Sequence, residues 1–140
     1  GGSCSNLADG YKCNCIKGRF TGKLCEQVCP VPLGMESGAI LDSQISASSE
    51  WGINAVAQQA RLHFVKTVYG AWSARSNDIH QWLQVDLLNT TRVSGVATQG
   101  RNGCSCNQWV TKYKLKYSEG GQAFKFYRRS GDNSDKVGNK

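Results

Sequence analysis

Seven cysteines are the densest chemistry in this sequence, and five of them fall within positions 4–29. Their order is Cys4, eight residues, Cys13, one residue, Cys15, nine residues, Cys25, with Cys29 close behind. Zinc sites draw on C-x₂₋₄-C pairs, and Cys13-Asn14-Cys15 is too tight for that geometry. With so few apolar side chains around them, these cysteines must hold their segment by cross-links that restrict the unfolded chain. Such a density points to an oxidising, extracellular compartment and away from nucleic acid. Cys104-Ser105-Cys106 is a separate pair. A strained bond within the pair, a bond to another chain, free thiols, and coordination with His63 or His80 all remain open there.

Catalysis requires a nucleophile, a base and an orienting group within reach of one another. His63 and His80 are the only imidazoles, neither H-E-x-x-H nor a nucleophile elbow occurs, and the carboxylates are scattered. No enzyme, no catalytic residue and no cofactor is expected. Binding chemistry is better supplied. Trp51 and Ile53 stand beside Gly52 and Asn54, and Phe64, Val65, Val68 and Tyr69 surround Lys66. Large apolar groups in segments that do not alternate like strands suit insertion into lipid or a protein pocket. The competing reading, that Phe64, Val68 and Tyr69 roof the core, stands beside it. Asn89-Thr90-Thr91 is an N-glycosylation sequon in a turn.

The elements that position these groups are strands. Trp82-Leu83-Gln84-Val85-Asp86-Leu87 alternates, as does Thr111-Lys112-Tyr113-Lys114-Leu115-Lys116-Tyr117. The second run places Tyr113, Leu115 and Tyr117 on a core side and Lys112, Lys114 and Lys116 outward. Trp72, Trp82 and Trp109 abut strand patterns and are assigned to the core or the strand ends. No stretch carries a helical apolar stripe longer than two turns, so the fold class is all-β, a sandwich or barrel. Composition shifts at Cys29-Pro30-Val31-Pro32, where both prolines of the chain stiffen a short connector. The predicted domains are residues 1–28 and 29–140.

Residues 1–29 hold four basic and two acidic groups, 30–109 five and five, and 110–140 eight and three, so the last segment supplies +5 of the net +7. That local positive charge seeks an anionic surface. On the strand run, a solvated face and a sulphated-sugar site are both open for Lys112, Lys114 and Lys116. No apolar run approaches the roughly 18 residues of a membrane span, and the chain reads as a piece of a longer protein.

Two resemblances become specific. Cys13-x-Cys15 followed by Gly18-Arg19-Phe20-Thr21-Gly22-Lys23-Leu24-Cys25 is similar to the C-terminal half of an EGF-like module. That resemblance implies a Cys15–Cys25 disulfide. It leaves Cys4 and Cys13 to pair with each other or stay free. Cys4-Ser5-Asn6 through Cys15 also fits the family's Asx-hydroxylation pattern, which implies Asn6 as a Ca²⁺ ligand, against a plain turn role.

From Cys29 onward the chain resembles the discoidin, or coagulation factor V/VIII C-type, domain. The similarity is carried by residues 40–49 (ILDSQISASS), Trp82 to Leu87, Val93 to Gly100 and Trp109 to Ser118. It implies an incomplete jelly roll lacking its closing strands and leaving Cys29 without a partner. Together the two modules look like a secreted adhesion protein of the lactadherin type. Ligand contact is then expected on residues 50–59, 63–70 and 101–108, at Trp51, Ile53, Phe64, Val65, Lys66 and Arg101. The expected function is an extracellular adhesion module that docks loop tips on an anionic phospholipid membrane. A carbohydrate lectin, or a sulphated-glycan, collagen or receptor binder, is the alternative. Location is extracellular, secreted or peripheral at the cell surface.

Overall fold

A computed structural model describes residues 31–65, 69–101 and 108–128 with their side chains, and the backbone of strands in the two terminal segments. The chain divides into two units, Gly1–Gly34 with Arg92–Val96, and Met35–Thr91 with Ala97–Lys140.

In the first unit β1 (Gly2–Leu7) and β2 (Gly10–Cys15) form an antiparallel hairpin. Its register sets Cys4 opposite Cys13 and Asn6 opposite Tyr11. β3 (Phe20–Thr21) pairs with β4 (Gln27–Val28). The Cys25 half of the expected disulfide, Cys29, and the side chain of Asn6 lie outside the described residues.

The second unit is organised by β5 (Ile45–Ala47) and β6 (Leu83–Val85), which pair antiparallel with Ile45 opposite Val85 and Ala47 opposite Leu83. Alternation explains the pairing: Ile45 and Ala47 turn inward and Ser46 outward. Both ends of this short ladder are stitched further. Asp86 donates its N–H to the Gln44 carbonyl at 2.8 Å, and the Gln44 amide returns a bond to the Asp86 carbonyl at 2.6 Å. At the other end the Ser48 N–H reaches the Trp82 carbonyl, and the Trp82 N–H reaches the Ser48 hydroxyl, each at 3.0 Å.

Ile40, Ile45 and Ala57 form the buried core, with Met35, Ala47, Trp72, Val85 and Leu87 packed against it. Ala57 opens a one-turn 3₁₀ segment (Ala57–Gln59), and its N–H is satisfied by the Glu50 carboxylate at 2.7 Å. Arg61 ties the approach to β5 into place. Its guanidinium donates to the carbonyls of Met35 and Ile40, each at 2.8 Å, and to the Asp42 carboxylate at 2.5 Å. A planar, forked donor group suits three acceptors at once.

The lysine-rich run differs from the single strand its alternation predicts. β7 (Tyr113–Lys114) pairs with β10 (Val137–Gly138), whereas β8 (Lys116–Tyr117) pairs with β9 (Lys125–Phe126). The ladder breaks at Leu115, whose carbonyl accepts the Tyr127 N–H at 2.9 Å. This exchange of partners reorients the second half. Tyr113 and Leu115 stay half-buried, but Tyr117, expected on the core side, is 55% exposed. Trp72 is half-buried with its indole N–H on the Ser49 carbonyl at 3.0 Å. Trp82 sits at the entrance to β6 and is largely exposed, and Trp109, 61% exposed, belongs neither to the core nor to a strand end. Among the described residues there are strands and two one-turn 3₁₀ segments, so the all-β class holds.

Candidate functional site

Of the three segments expected to bear ligand contacts, the first is footed on Ser73, and the second and third are joined through Tyr69 and Arg101. Residues 50–55 are footed on Ser73: the Trp51 N–H donates to the Ser73 carbonyl at 2.8 Å, and the Ser73 N–H donates to the Ala55 carbonyl at 3.2 Å. Between those feet the chain bulges outward, carrying Trp51 (65% exposed) and Ile53 (87% exposed) at the tip. The remainder of this segment does the opposite work, because Ala55, Ala57 and Gln59 are buried.

Behind the tip lies a polar network. The Ser48 and Ser49 hydroxyls both donate to the Gln81 amide oxygen, at 2.8 and 2.5 Å, and the Gln81 amide nitrogen donates to both oxygens of Asp78 at 3.0 Å. These donors, with the His80 N–H at 2.8 Å, hold the Asp78 carboxyl below its ordinary value. The network fixes residues 78–81 against the entry to the tip. The same turn presents Ile79, 93% exposed, which sequence reasoning passed over because it interrupts a polar stretch.

The second segment begins at His63, which adopts φ 54, a left-handed conformation seldom taken by residues other than glycine. Two contacts hold it there. Its N–H donates to the Gln99 side chain at 2.9 Å, and its Nδ1 lies 2.8 Å from the Glu36 carboxylate. The turn throws Val65 outward, 64% exposed, whereas Phe64 is half-buried. Lys66 and Val68 lie outside the described residues.

Tyr69 closes that segment, and four residues later the chain reaches Ser73 at the foot of the first tip. Arg101 clamps Tyr69 in place: its Nε donates to the Tyr69 carbonyl at 2.7 Å, and its guanidinium lies 4.7 Å from the centre of the Tyr69 ring. A second bond from the guanidinium reaches the Gln108 side chain at 2.7 Å, and backbone N–H of Arg101 meets the Gln108 carbonyl at 2.8 Å. The base of the third segment is therefore pinned across Arg101 and Gln108. Arg101, expected from sequence as a ligand contact, is half-buried with its guanidinium engaged by Tyr69 and Gln108. Cys104 and Cys106 lie outside the described residues.

Away from these loops, Lys112, Lys114 and Lys116 are all exposed. The ammonium groups of Lys114 and Lys116 lie 5.2 and 4.5 Å from the centre of the Phe126 ring. Asn89 is exposed in a bend where its N–H donates to the Leu87 carbonyl at 2.7 Å, and Thr91 donates its hydroxyl to the Asn89 carbonyl at 2.8 Å. Among the described residues no group of three His, Cys, Asp or Glu side chains is placed to hold a metal ion. None of their helices is long and apolar enough to cross a membrane.

The family model of the F5/8 type C domain matches residues 44–140. The chain is 42% identical over 118 residues to lactadherin of Sus scrofa, covering 81% of this chain and 29% of that protein. It is 40% identical over 135 residues to lactadherin of Rattus norvegicus, covering 90% of this chain and 30% of that protein. Over 113 residues it is 42% identical to coagulation factor V of Mus musculus, covering 78% of this chain and 5% of that protein. The chain thus spans less than a third of the lactadherins and a small part of factor V. With the matched region running over most of its length, the chain belongs to the F5/8 type C (discoidin) domain family.

Proposed function

We propose that the chain is the discoidin part of an extracellular adhesion protein and docks its loop tips on anionic phospholipid membrane. The observation that carries this reading is the tethered tip at residues 51–53, with Val65 on the adjoining segment. Its large apolar side chains stand exposed on a frame of backbone hydrogen bonds. Immersing Trp51, Ile53 and Val65 at ~1.5–3 kcal/mol each supplies roughly 4.5–9 kcal/mol before ordering costs are subtracted. Micromolar affinity needs about 8 kcal/mol. Each basic residue beside an anionic leaflet adds ~1 kcal/mol, so acidic lipid makes up the shortfall. Lys66 is the basic group that its sequence places among these apolar residues, with Arg101 at their base.

In this reading residues 1–28 are EGF-like and residues 29–140 are a discoidin jelly roll. The Cys15–Cys25 disulfide and a Ca²⁺-ligating Asn6 belong to the first, and a glycan on Asn89 to the second. Catalysis has no part in it. Sedimentation with phosphatidylcholine vesicles, with and without phosphatidylserine, tests the function. Binding confined to phosphatidylserine vesicles and weakened by salt is the expected result. Equal binding to both vesicle types, or release by a free monosaccharide, overturns it.

A further inference from the structure

Ile79 is the most exposed large apolar side chain among the described residues, at 93%. It lies outside the segments in which ligand contact is expected, but the strand order brings it to the end that bears the first tip. β5 leads directly into residues 50–55, and β6 begins at Leu83, just after the turn at 78–81. The two strands are antiparallel with Ala47 opposite Leu83, so the chain leaving β5 and the chain entering β6 lie at one end of the ladder. Hydrogen bonds close that end. The Gln81 amide oxygen accepts from the Ser48 and Ser49 hydroxyls, and the Ser49 hydroxyl oxygen accepts the Arg75 N–H at 3.0 Å. Ile79 and the Trp51–Ile53 tip therefore stand on two turns that share a base at Ser48 and Ser49. Leu88, also exposed, follows β6 and belongs to the opposite end, where Ile45 faces Val85.

The charges on this turn are compatible with an anionic surface. Both Asp78 oxygens accept from the Gln81 amide and one also accepts the His80 N–H, so this carboxylate is held by donors of its own turn. Arg75, exposed in the same segment, supplies a cation for an acidic headgroup. A pocket seats one turn, whereas apolar side chains on two separate turns at one end are met together by a surface that extends over both. We propose that Ile79 is a further membrane contact, inserting into the same anionic bilayer as Trp51 and Ile53; this rests on the docking of the loop tips proposed above.

Sedimentation of the full chain with phosphatidylserine vesicles is the test. Ile79→Ala should weaken binding about 8-fold if the side chain is half immersed and about 50-fold if it is fully immersed. Ile79→Leu should bind within about twofold of wild type, and Ile79→Asp more weakly than Ile79→Ala. Leu88→Ala makes the same kind of apolar loss at the opposite end of the ladder and should bind as wild type. Wild-type affinity in Ile79→Ala, alongside weakened binding by Trp51→Ala, overturns this contact and leaves the loop-tip reading standing. Absence of binding by the wild type overturns both. Failure of Ile79→Leu to keep the affinity, or equal weakening by Leu88→Ala and Ile79→Ala, also overturns the proposal, because the loss would then not track apolar surface at this end of the ladder.

Discussion

Replacing Trp51 by alanine removes the largest side chain from the tip while leaving the backbone N–H that foots it on Ser73. A tryptophan offers about 150–250 Å² for burial. At 65% exposure, roughly 130 Å² of Trp51 remains for a ligand to cover. At about 25 cal/mol per Å² this is worth about 3 kcal/mol on full immersion, and half that for a side chain seated among headgroups. Affinity for phosphatidylserine vesicles should therefore fall between about 10-fold and 200-fold. Trp51→Phe, which keeps an aromatic anchor, should lose less than about fivefold. Sedimentation across a lipid titration measures both, and matching thermal unfolding of the variants confirms that the frame is intact. Wild-type affinity in a folded Trp51→Ala protein would refute the reasoning, because nothing else changes at the tip.

Three further outcomes follow from the same contacts. Arg61→Ala should cost about 3 kcal/mol in urea unfolding, since it leaves the Met35 and Ile40 carbonyls without a charged donor, whereas Asp42→Ala should cost under about 1 kcal/mol because that carboxylate is exposed. Equal costs would show that the ion pair, and not the carbonyl bonds, matters. Asp78 has its carboxyl lowered from 3.8, first by the Gln81 side chain and then by the His80 N–H. A depressed carboxylate stabilises the fold above its unfolded value and loses that contribution as pH falls through the folded one, so the Ser48–Gln81 network should loosen only below pH 3.8. An NMR titration midpoint at or above 3.8 would contradict this. Expressed in a secretory host, the chain should show a glycosidase-sensitive mass that Thr91→Ala abolishes, and an unshifted band would remove Asn89 as the acceptor.

Much of this organisation is legible in the sequence where side-chain type and period coincide. Val85 and Leu87 alternate with polar neighbours, so β6 and their inward face could be read directly, although Leu83 of the same period is 37% exposed. The core contributed by Ala55, Ala57 and Gln59 could not, because two small residues and an amide carry no apolar period. Period also fails at Leu115. Alternation continues through it unchanged, but the hydrogen-bonding partner switches from β10 to β9, and Tyr117 ends up facing outward. Trp109 misleads for a related reason: its type favours burial, yet it stands 61% exposed next to the Arg101–Gln108 backbone bond. At the candidate site the exposed tip residues were readable as apolar groups in a nonalternating segment. What sequence could not reveal is that the Arg101 guanidinium is occupied by Tyr69 and Gln108, since those partners are 32 and 7 positions away.

The twin bonds to Ser73 bear on kinetics as well as placement. A tip whose two ends meet on one residue has little backbone freedom left to surrender, so engagement demands few new torsional restrictions. Encounter frequency is then governed by diffusion and charge, and the tightness of the complex is expressed in its lifetime. Loosening Ser73 would lengthen the search for a productive pose without altering a single atom that meets the ligand.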